Sequence, residues 1–581
     1  MKKVLKNIFT YILAIIATIS VNFNIGSEVV NFDRFGETSV IYIILFIFFL
    51  YILKRVLRIK QKRLIIMSLG VSIIFAIIEI LGYSLSHDAQ LMIPKSAIIK
   101  LIGYVILFYC AISILFTKFN IFLKQEKCKE ENTTNIKYFI VAWIGIFVLW
   151  IPYLIKYYPG IMTTDSIMQT GQAIAYGLNS HHPMFHTLFI KLCLEIGSKI
   201  KDYNLGVAIY SILQMLIMSG IFSYTVYYMK KRDVSKTIRI ITLLFFALYP
   251  VFPMYAVTMW KDVLFGTLML LYTINIVELV HDTESYTSSW KRILGFIIIT
   301  LLVMLLRNNG IYAIILSAPI VLIVFRKYYK QIIIMFLIPI ILYYCFNSFA
   351  YNVLKANKGN IAEALSVPMQ QMARVAKYHK DELTEEQKND IDEFIPVDKA
   401  AEVYDSKISD PVKNLFNSEK FKTDKIKFIK VWGSLFLDYP KEYIESFLYG
   451  SFGYWYPDVS NWIYATEIGE NEFEIKQTKE LNQIKLLDEC IKIRNIPVVS
   501  MIFSVGFAFW IALTIIIYLI YIKKYKYIVC FATMIALWIT TLASPVYCEY
   551  RYVFSIFTCL PIFISILQIS NKKTIGDKNE K

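Results

Sequence analysis

"GFIIITLLVMLLRNNGIYAIILSAPIVLIV" occupies residues 295–324. Two apolar runs meet there at Arg307-Asn308-Asn309-Gly310, which leaves room only for a tight reversal. A helix needs about 20 mostly apolar residues to cross roughly 30 Å of hydrocarbon, and runs approaching that length flank the turn on both sides. The stretch therefore predicts an antiparallel pair of membrane helices. It also holds an oddity, an arginine at the very tip of the pair.

The same pattern recurs along the 581 residues, of which 57% are hydrophobic and 16% aromatic. With a mean hydropathy of +0.53, a soluble globular domain is excluded. Alternation with period two is absent, so a helical bundle is expected rather than a β-barrel. Spans are expected at 8–26, 39–56, 64–84, 97–117, 138–155, 206–229, 237–257, 263–281, 292–306, 311–325, 331–349, 498–522, 527–544 and 552–570. The formal charge of +17 could suggest nucleic acid, but the basic residues lie in short segments between spans, as orientation signals do. No nucleic-acid partner is expected; membrane lipids are.

Linkers "KRVLRIKQKR" (54–63), "KKRDVSK" (230–236), "RKYYK" (326–330) and "KKYK" (523–526) are basic, whereas "SEVVNFDRFGET" (27–38) and 350–497 are acidic or balanced. The basic set falls on the side of the N-terminal Met-Lys-Lys, which predicts a plasma-membrane protein with both termini in the cytoplasm. The N-terminus has the charged start and apolar core of a signal peptide but no clean cleavage site, and is expected to stay as a first helix. The expected division is 1–117, four spans; 118–137, a cytoplasmic linker; 138–349, a membrane core with polar loops; 350–497, a mainly helical extracytoplasmic domain; 498–570, three closing spans; and 571–581, a cytoplasmic tail. Eight scattered cysteines without CxxC pairs predict small buried hydrophobes rather than bridges or metal ligands.

One consequence of this topology concerns chemistry. Asp165, Lys261-Asp262, Arg307, the 350–497 domain and Glu549-Arg551 all come out on the extracytoplasmic face, where random placement would scatter them. Asp165 follows the turn Pro159-Gly160, and Thr163-Thr164-Asp165 could simply cap a helix over 166–177. In "HHPMFH" (181–186), Pro183 suits a first helical turn, leaving His182 and His186 one turn apart. That spacing allows a shared divalent metal, completed by His181 or Asp165; hydrogen bonds to substrate, headgroups or backbone are the alternatives. Lys261 beside Asp262 suits an anionic phosphate, or plain snorkelling. Arg307, with Asn308, and Arg551, with Glu549, could grip a phosphate or only pair with acids. In the outer domain, Gln370, Gln371 and Arg374 form a polar patch. "YGSFGYWYPDVSNW" (449–462) concentrates aromatic faces, Tyr454 and Trp455 among them, of the kind that stack on sugar rings or rest on lipid.

In order along the chain, "PGIMTTDS", "HHP", "WKD" and the late outer domain resemble the GT-C superfamily of polytopic glycosyltransferases that use polyprenyl-phosphate-linked sugars. Within it the chain is similar to uncharacterised bacterial members carrying "QQMAR"-like and "GYWYPD"-like stretches. The resemblance covers roughly 138–570 and leaves 1–117 outside. It implies an all-α, GT-C-like bundle of about 14 transmembrane helices with a helical outer domain. It also implies transfer from a lipid-linked sugar donor to a glycan, lipid or protein acceptor of the cell envelope by a single inverting displacement. Asp165 would be the general base or acceptor-orienting acid and Asp262 the second acid near the donor. Lys261, Arg307 or Arg551 would stabilise the departing phosphate. Many members have a more acidic pair in the first loop; here Asp165 stands alone, which leaves metal dependence open. No cofactor is required by the pattern. The competing readings are a transporter or flippase of lipid-linked saccharides, a polymerase or ligase of lipid-linked glycans, and a scaffold. Spans nearly free of buried charge are expected to disfavour the transporter.

Overall fold

The computed structural model describes residues 2–22, 39–125, 135–459, 462–478, 491–496, 498–543 and 546–571. Linker 27–38, the middle of linker 118–137, residues 479–490 of the outer domain and the tail from 572 lie outside these.

The chain is helical throughout the described residues, with only single bridging backbone pairs between loops. In chain order the helices that matter are α1 (Lys2–Asn22), α2 (Ser39–Val56), α3 (Lys62–His87), α4 (Ala97–Gln125), α5 (Ile136–Lys156), α6 (Thr164–Gly171), α7 (Met184–Ile200) and α8 (Tyr203–Lys231). There follow α9 (Lys236–Leu248), α10 (Val251–Ala256), α11 (Lys261–His281), α12 (Trp290–Leu306), α13 (Asn308–Val324) and α14 (Tyr329–Asn352). The 350–497 segment contributes α15 (Ser366–His379), α16 (Lys425–Asp438) and α17 (Pro440–Ser451), and the closing bundle α18 (Val505–Tyr521), α19 (Ala532–Leu542) and α20 (Phe554–Ile569).

Among the described residues, eight helices are long and apolar enough to cross a membrane: Lys62–His87, Ala97–Asn120, Ile136–Lys156, Tyr203–Lys231, Lys261–His281, Arg326–Asn352, Tyr525–Leu542 and Tyr550–Ile569. This is a membrane protein by length and composition. Asn7–Ser20, Asn308–Val324 and Val505–Tyr521 are apolar but shorter. The expected span 237–257 is not one helix. Pro250 lacks the N–H that a continuous helix would use, so α9 stops at Leu248 and α10 starts after the proline. Phe245, Tyr249 and Phe252 close the break with ring contacts of 5.0–5.3 Å.

Helix α11 sits at the centre. Its side chains are buried on nearly every face from Asp262 to Val280, as befits a helix apolar all round. It packs on α8, α12 and α20, so its first turn, Lys261-Asp262, is held in the middle of one end of the bundle. Helices α7 and α8 meet where a Cβ on Gly197 would lie 2.1 Å from the backbone nitrogen of Gly206; small residues here let the backbones touch.

The expectation that spans are nearly free of buried charge is corrected. Lys100, Lys156, Arg239, Asp262 and Glu278 are all buried. Glu278 is compensated by Arg232 and by the Tyr228 hydroxyl at 3.1 Å; Lys100 lies over the rings of Tyr83 and Tyr104 at 5.8 and 5.6 Å. Burial of this kind is hard to see in a sequence because Tyr228 and Arg232 reach Glu278 from the end of α8 and Tyr83 reaches Lys100 from α3.

The 350–497 segment has its own core, in which Met369, Met372 and Ala376 of α15 meet Phe394, Phe428 and Leu435. Pro440 takes the first position of α17, where its missing N–H costs nothing.

Candidate functional site

At the α11 end of the bundle, loops distant in the chain converge. The loop before α6 is pinned to the segment before α11 by Ile161 N–H to Val257 O (2.8 Å) and Met259 N–H to Ile161 O (2.9 Å). The start of α6 is served by Thr163 and Ser166: the Thr163 N–H donates to Ser166 Oγ at 3.3 Å, and that hydroxyl donates to Met259 O at 2.7 Å. Asp165 is therefore not the cap, and its carboxylate points elsewhere.

It points at two cations. Asp165 Oδ2 accepts from Lys261 Nζ at 3.1 Å and from Arg551 Nη1 at 2.8 Å. Lys261 Nζ also donates to His182 Nδ1 at 3.0 Å. Arg551 Nε donates to Glu549 at 2.9 Å while its guanidinium lies 5.4 Å over the Trp260 ring. Beside this chain of charges, Arg307 Nη1 stands 3.1 Å from Asp262 Oδ1. The approach is close without the alignment of a hydrogen bond, so both oxygens of a wholly buried carboxylate lack a donor. Tyr552 is shared: its ring lies 4.8 Å from the Arg307 guanidinium and 5.2 Å from that of Arg551.

The electrostatics follow. Burial alone would push the Asp165 carboxyl up, but Lys261 and Arg551 outweigh it and hold the group well below the usual carboxylate range. Burial, reinforced by Lys261, pushes the His182 imidazole down to about 3, so it is neutral at ordinary pH. Burial also pushes Glu549 up, with Asp262 adding to the shift and Arg551 opposing it.

The candidate metal ligands do not fit a metal. Both ring nitrogens of the buried His186 are committed, Nδ1 to Gln169 Oε1 at 3.1 Å and Nε2 to Tyr210 Oη at 2.8 Å. Asp165 and His182 share an ammonium instead. No group of three or more His, Cys, Asp or Glu side chains among the described residues is placed to hold an ion. His186 belongs to a buried scaffold that continues from Tyr210 to Gln214 at 2.9 Å and on to the carbonyls of Tyr255, Ala256 and Thr258.

Other expectations are corrected too. Gln370, Gln371 and Arg374 are buried in the domain over 350–497. Gln370 holds the carbonyls of Asp405 and Ile408, Gln371 that of Tyr443, and Arg374 pairs with Glu442 and Glu445. They fix that domain's fold. Tyr454 is likewise buried and receives the Glu549 N–H at 3.2 Å, supporting the site loop from behind. The Trp455 indole donates to Ser451 at 3.3 Å and packs on Phe452. From this aromatic stretch Trp462 is exposed, 5.7 Å from Trp260. Asn308 donates to the carbonyls of Ser180 and His181, both at 3.2 Å, and so clamps the histidine loop. The His181 ring rests edge-on against His182 at 4.6 Å.

Sequence reasoning missed Trp260 as a cation-binding floor, Tyr552, and the C-terminal end of α14. There Tyr343, Asn347 and Tyr351, spaced four apart and so on one face, line a cavity of about 200 Å³ that His182 also lines. That spacing was a signal available in the sequence.

A family model described as "Family of unknown function (DUF6020)" matches residues 172–581. The chain belongs to that family. The matched region holds Lys261, Asp262, Arg307, Glu549 and Arg551, while Asp165 lies just before it. No curated protein and no solved structure matches the chain.

Proposed function

We propose that this protein is a GT-C-type membrane glycosyltransferase acting on the extracytoplasmic face. It would move a sugar from a polyprenyl-phosphate-linked donor to a cell-envelope glycan, lipid or protein. One observation carries the reading: Asp165 is held by the same two cations, Lys261 and Arg551, that a lipid phosphate would need, at the rim of a membrane bundle.

The chemistry balances on that geometry. The donor is a phosphodiester with one negative charge. In the displacement the acceptor oxygen bonds to the anomeric carbon as the bond from that carbon to the phosphate oxygen breaks. The acceptor proton passes to Asp165, and the phosphate leaves as a monoester with roughly one more negative charge. Negative charge thus moves from carboxylate to phosphate across the same pair of cations, which need not reorganise. Asp165 rests as a weak base because Lys261 and Arg551 stabilise its ionised form. As charge builds on the phosphate between the same two cations, their hold on the carboxylate weakens and it regains basicity when the proton must be taken. Arg307 and Asp262 stand one step back, and Trp462 offers an exposed ring face for the acceptor sugar.

The test is turnover of polyprenyl-phosphate sugars by purified protein in lipid nanodiscs. Asp165→Asn should lower turnover by roughly 10²- to 10⁴-fold, the usual contribution of a general base. Equal turnover in variant and wild type would remove the assignment. A flippase is the second reading, favoured by the buried charges within the spans; donor translocation without sugar transfer would select it.

A further inference from the structure

His182 presents one nitrogen to the charged site and has another to account for. Its Nδ1 lies 3.0 Å from Lys261 Nζ. An ammonium only donates, so Nδ1 accepts and the ring proton resides on Nε2. That Nε2 is buried and has no hydrogen-bond partner in a side chain only 1% exposed. A buried N–H left without an acceptor is costly, and this one belongs to a side chain in the wall of a cavity.

The cavity of about 200 Å³ that His182 lines says what the ligand is like. Its polar lining is Ser180, His182, Asn308, Asn347 and three tyrosines, and the rest is apolar, Met304 and Phe346 included. No Asp, Glu, Lys or Arg contributes to it. Drug-sized sites run to roughly 300–1,000 Å³, so this one has space for a single ring. Hydroxyl- and amide-bearing walls with aromatic faces and no charge match a neutral pyranose.

We propose that this cavity is a monosaccharide subsite for one neutral hexose ring, with the His182 Nε2–H donating to a ring hydroxyl. The assignment rests on the glycosyltransferase reading for its place in the reaction, since Lys261 links the ring-binding histidine to the phosphate-binding pair. Lys261 fixes the tautomer and so acts on the sugar through His182. Uronic acids and sugars with a free amine are discriminated against, because each would bring a charge into a lining that has no counter-charge.

The experiment is saturation-transfer NMR on the full chain in nanodiscs. The probes are methyl β-D-glucopyranoside, methyl β-D-galactopyranoside, methyl β-D-glucuronide and a methyl glucosaminide. At least one neutral glycoside should bind about tenfold or more tightly than both charged ones, the size of effect one unmet charge or hydrogen bond brings. Asn347→Trp, which fills the cavity, and His182→Phe should lose the signal. Ile311→Trp fills the same cavity from α13 should Asn347→Trp fail to give a cooperative melt. Equal binding of neutral and charged glycosides by wild type, or a folded cavity-filling variant with undiminished signal, overturns the proposal. Turnover separates the two ideas: donor turnover that survives cavity filling leaves the enzyme and removes the subsite, while selective glycoside binding without turnover of any donor does the reverse.

Discussion

Replacing Asp165 by asparagine should have opposite effects on anion binding and on turnover, and the sizes can be worked from the geometry. Lys261 Nζ and Arg551 Nη1 reach one carboxylate oxygen at 3.1 and 2.8 Å, so they lie no more than about 6 Å apart, which at an effective dielectric constant near 20 corresponds to about 3 kcal/mol of repulsion. Asp165 is 27% exposed, so solvent and salt trim this to the order of 1–2 kcal/mol. In wild type the carboxylate cancels the repulsion; in the variant a bound phosphate must. Polyprenyl phosphate should therefore bind the variant roughly 5- to 30-fold more tightly, the factor such an energy represents, while sugar transfer falls. Calorimetry in nanodiscs, with the uncharged polyprenol as control and at two salt concentrations, measures it. Unchanged or weaker phosphate binding in Asp165→Asn would show that the two cations are not a phosphate seat, and the reasoning would fail there.

Arg307→Met should lower thermal stability by about 3–5 kcal/mol, because it strands the buried Asp262 carboxylate, and adding Asp262→Asn should recover much of the loss; a double-mutant cycle by melting reads this directly. Acid should act through Asp165. Its folded carboxyl titrates below its ordinary value of 3.8, so its stabilising contribution is present above that value and is lost as pH falls below it. A melting-temperature drop below about pH 4 should accordingly be smaller in Asp165→Asn than in wild type, whereas the two curves should run parallel between pH 5 and 8. Gly197→Val should separate α7 from α8, since even a Cβ would meet backbone at 2.1 Å. A loss of more than about 2 kcal/mol with a collapse in His182-dependent glycoside binding is expected, by melting and NMR.

The bundle was legible because apolar runs of helical length have few other uses, and the charged rim because polar residues fell in the same alternate set of loops. What escaped has physical reasons. The 237–257 run has the composition of a span, and only Pro250 between two tyrosine- and phenylalanine-rich turns betrays the break. "WKD" reads as an adjacent acid and base, but consecutive residues on a helix diverge by about 100°. Lys261 therefore turns to Asp165 and Asp262 to Arg307, and the pair bridges two loops rather than itself. "QQMAR" looks like a binding patch, yet its polar groups satisfy carbonyls and acids 35 to 72 residues away, contacts no local pattern encodes. His186 was a ligand candidate by spacing and became a scaffold residue by its partners Gln169 and Tyr210.

The alternation of charge at the rim explains why the site can exist at all. Lys261, Arg307 and Arg551 are interleaved with Asp165, Asp262 and Glu549 at the N-terminal end of α11, where the helix itself adds partial positive charge. Three isolated cations there would not stay partly buried, and three isolated acids would be driven to protonate. Together they rest close to neutral. An incoming phosphodiester disturbs that balance by one charge, and on the glycosyltransferase reading the proton that Asp165 takes up in the displacement offsets the second charge that the leaving phosphate acquires. Asp165 is placed for that role because it is the acid that touches both Lys261 and Arg551, whereas Asp262 meets Arg307 alone and Glu549 meets Arg551 alone among the ion pairs of the site. On that reading the net charge of the site is the same with the donor bound as with the phosphate leaving, so the three cations can serve both states without rearrangement.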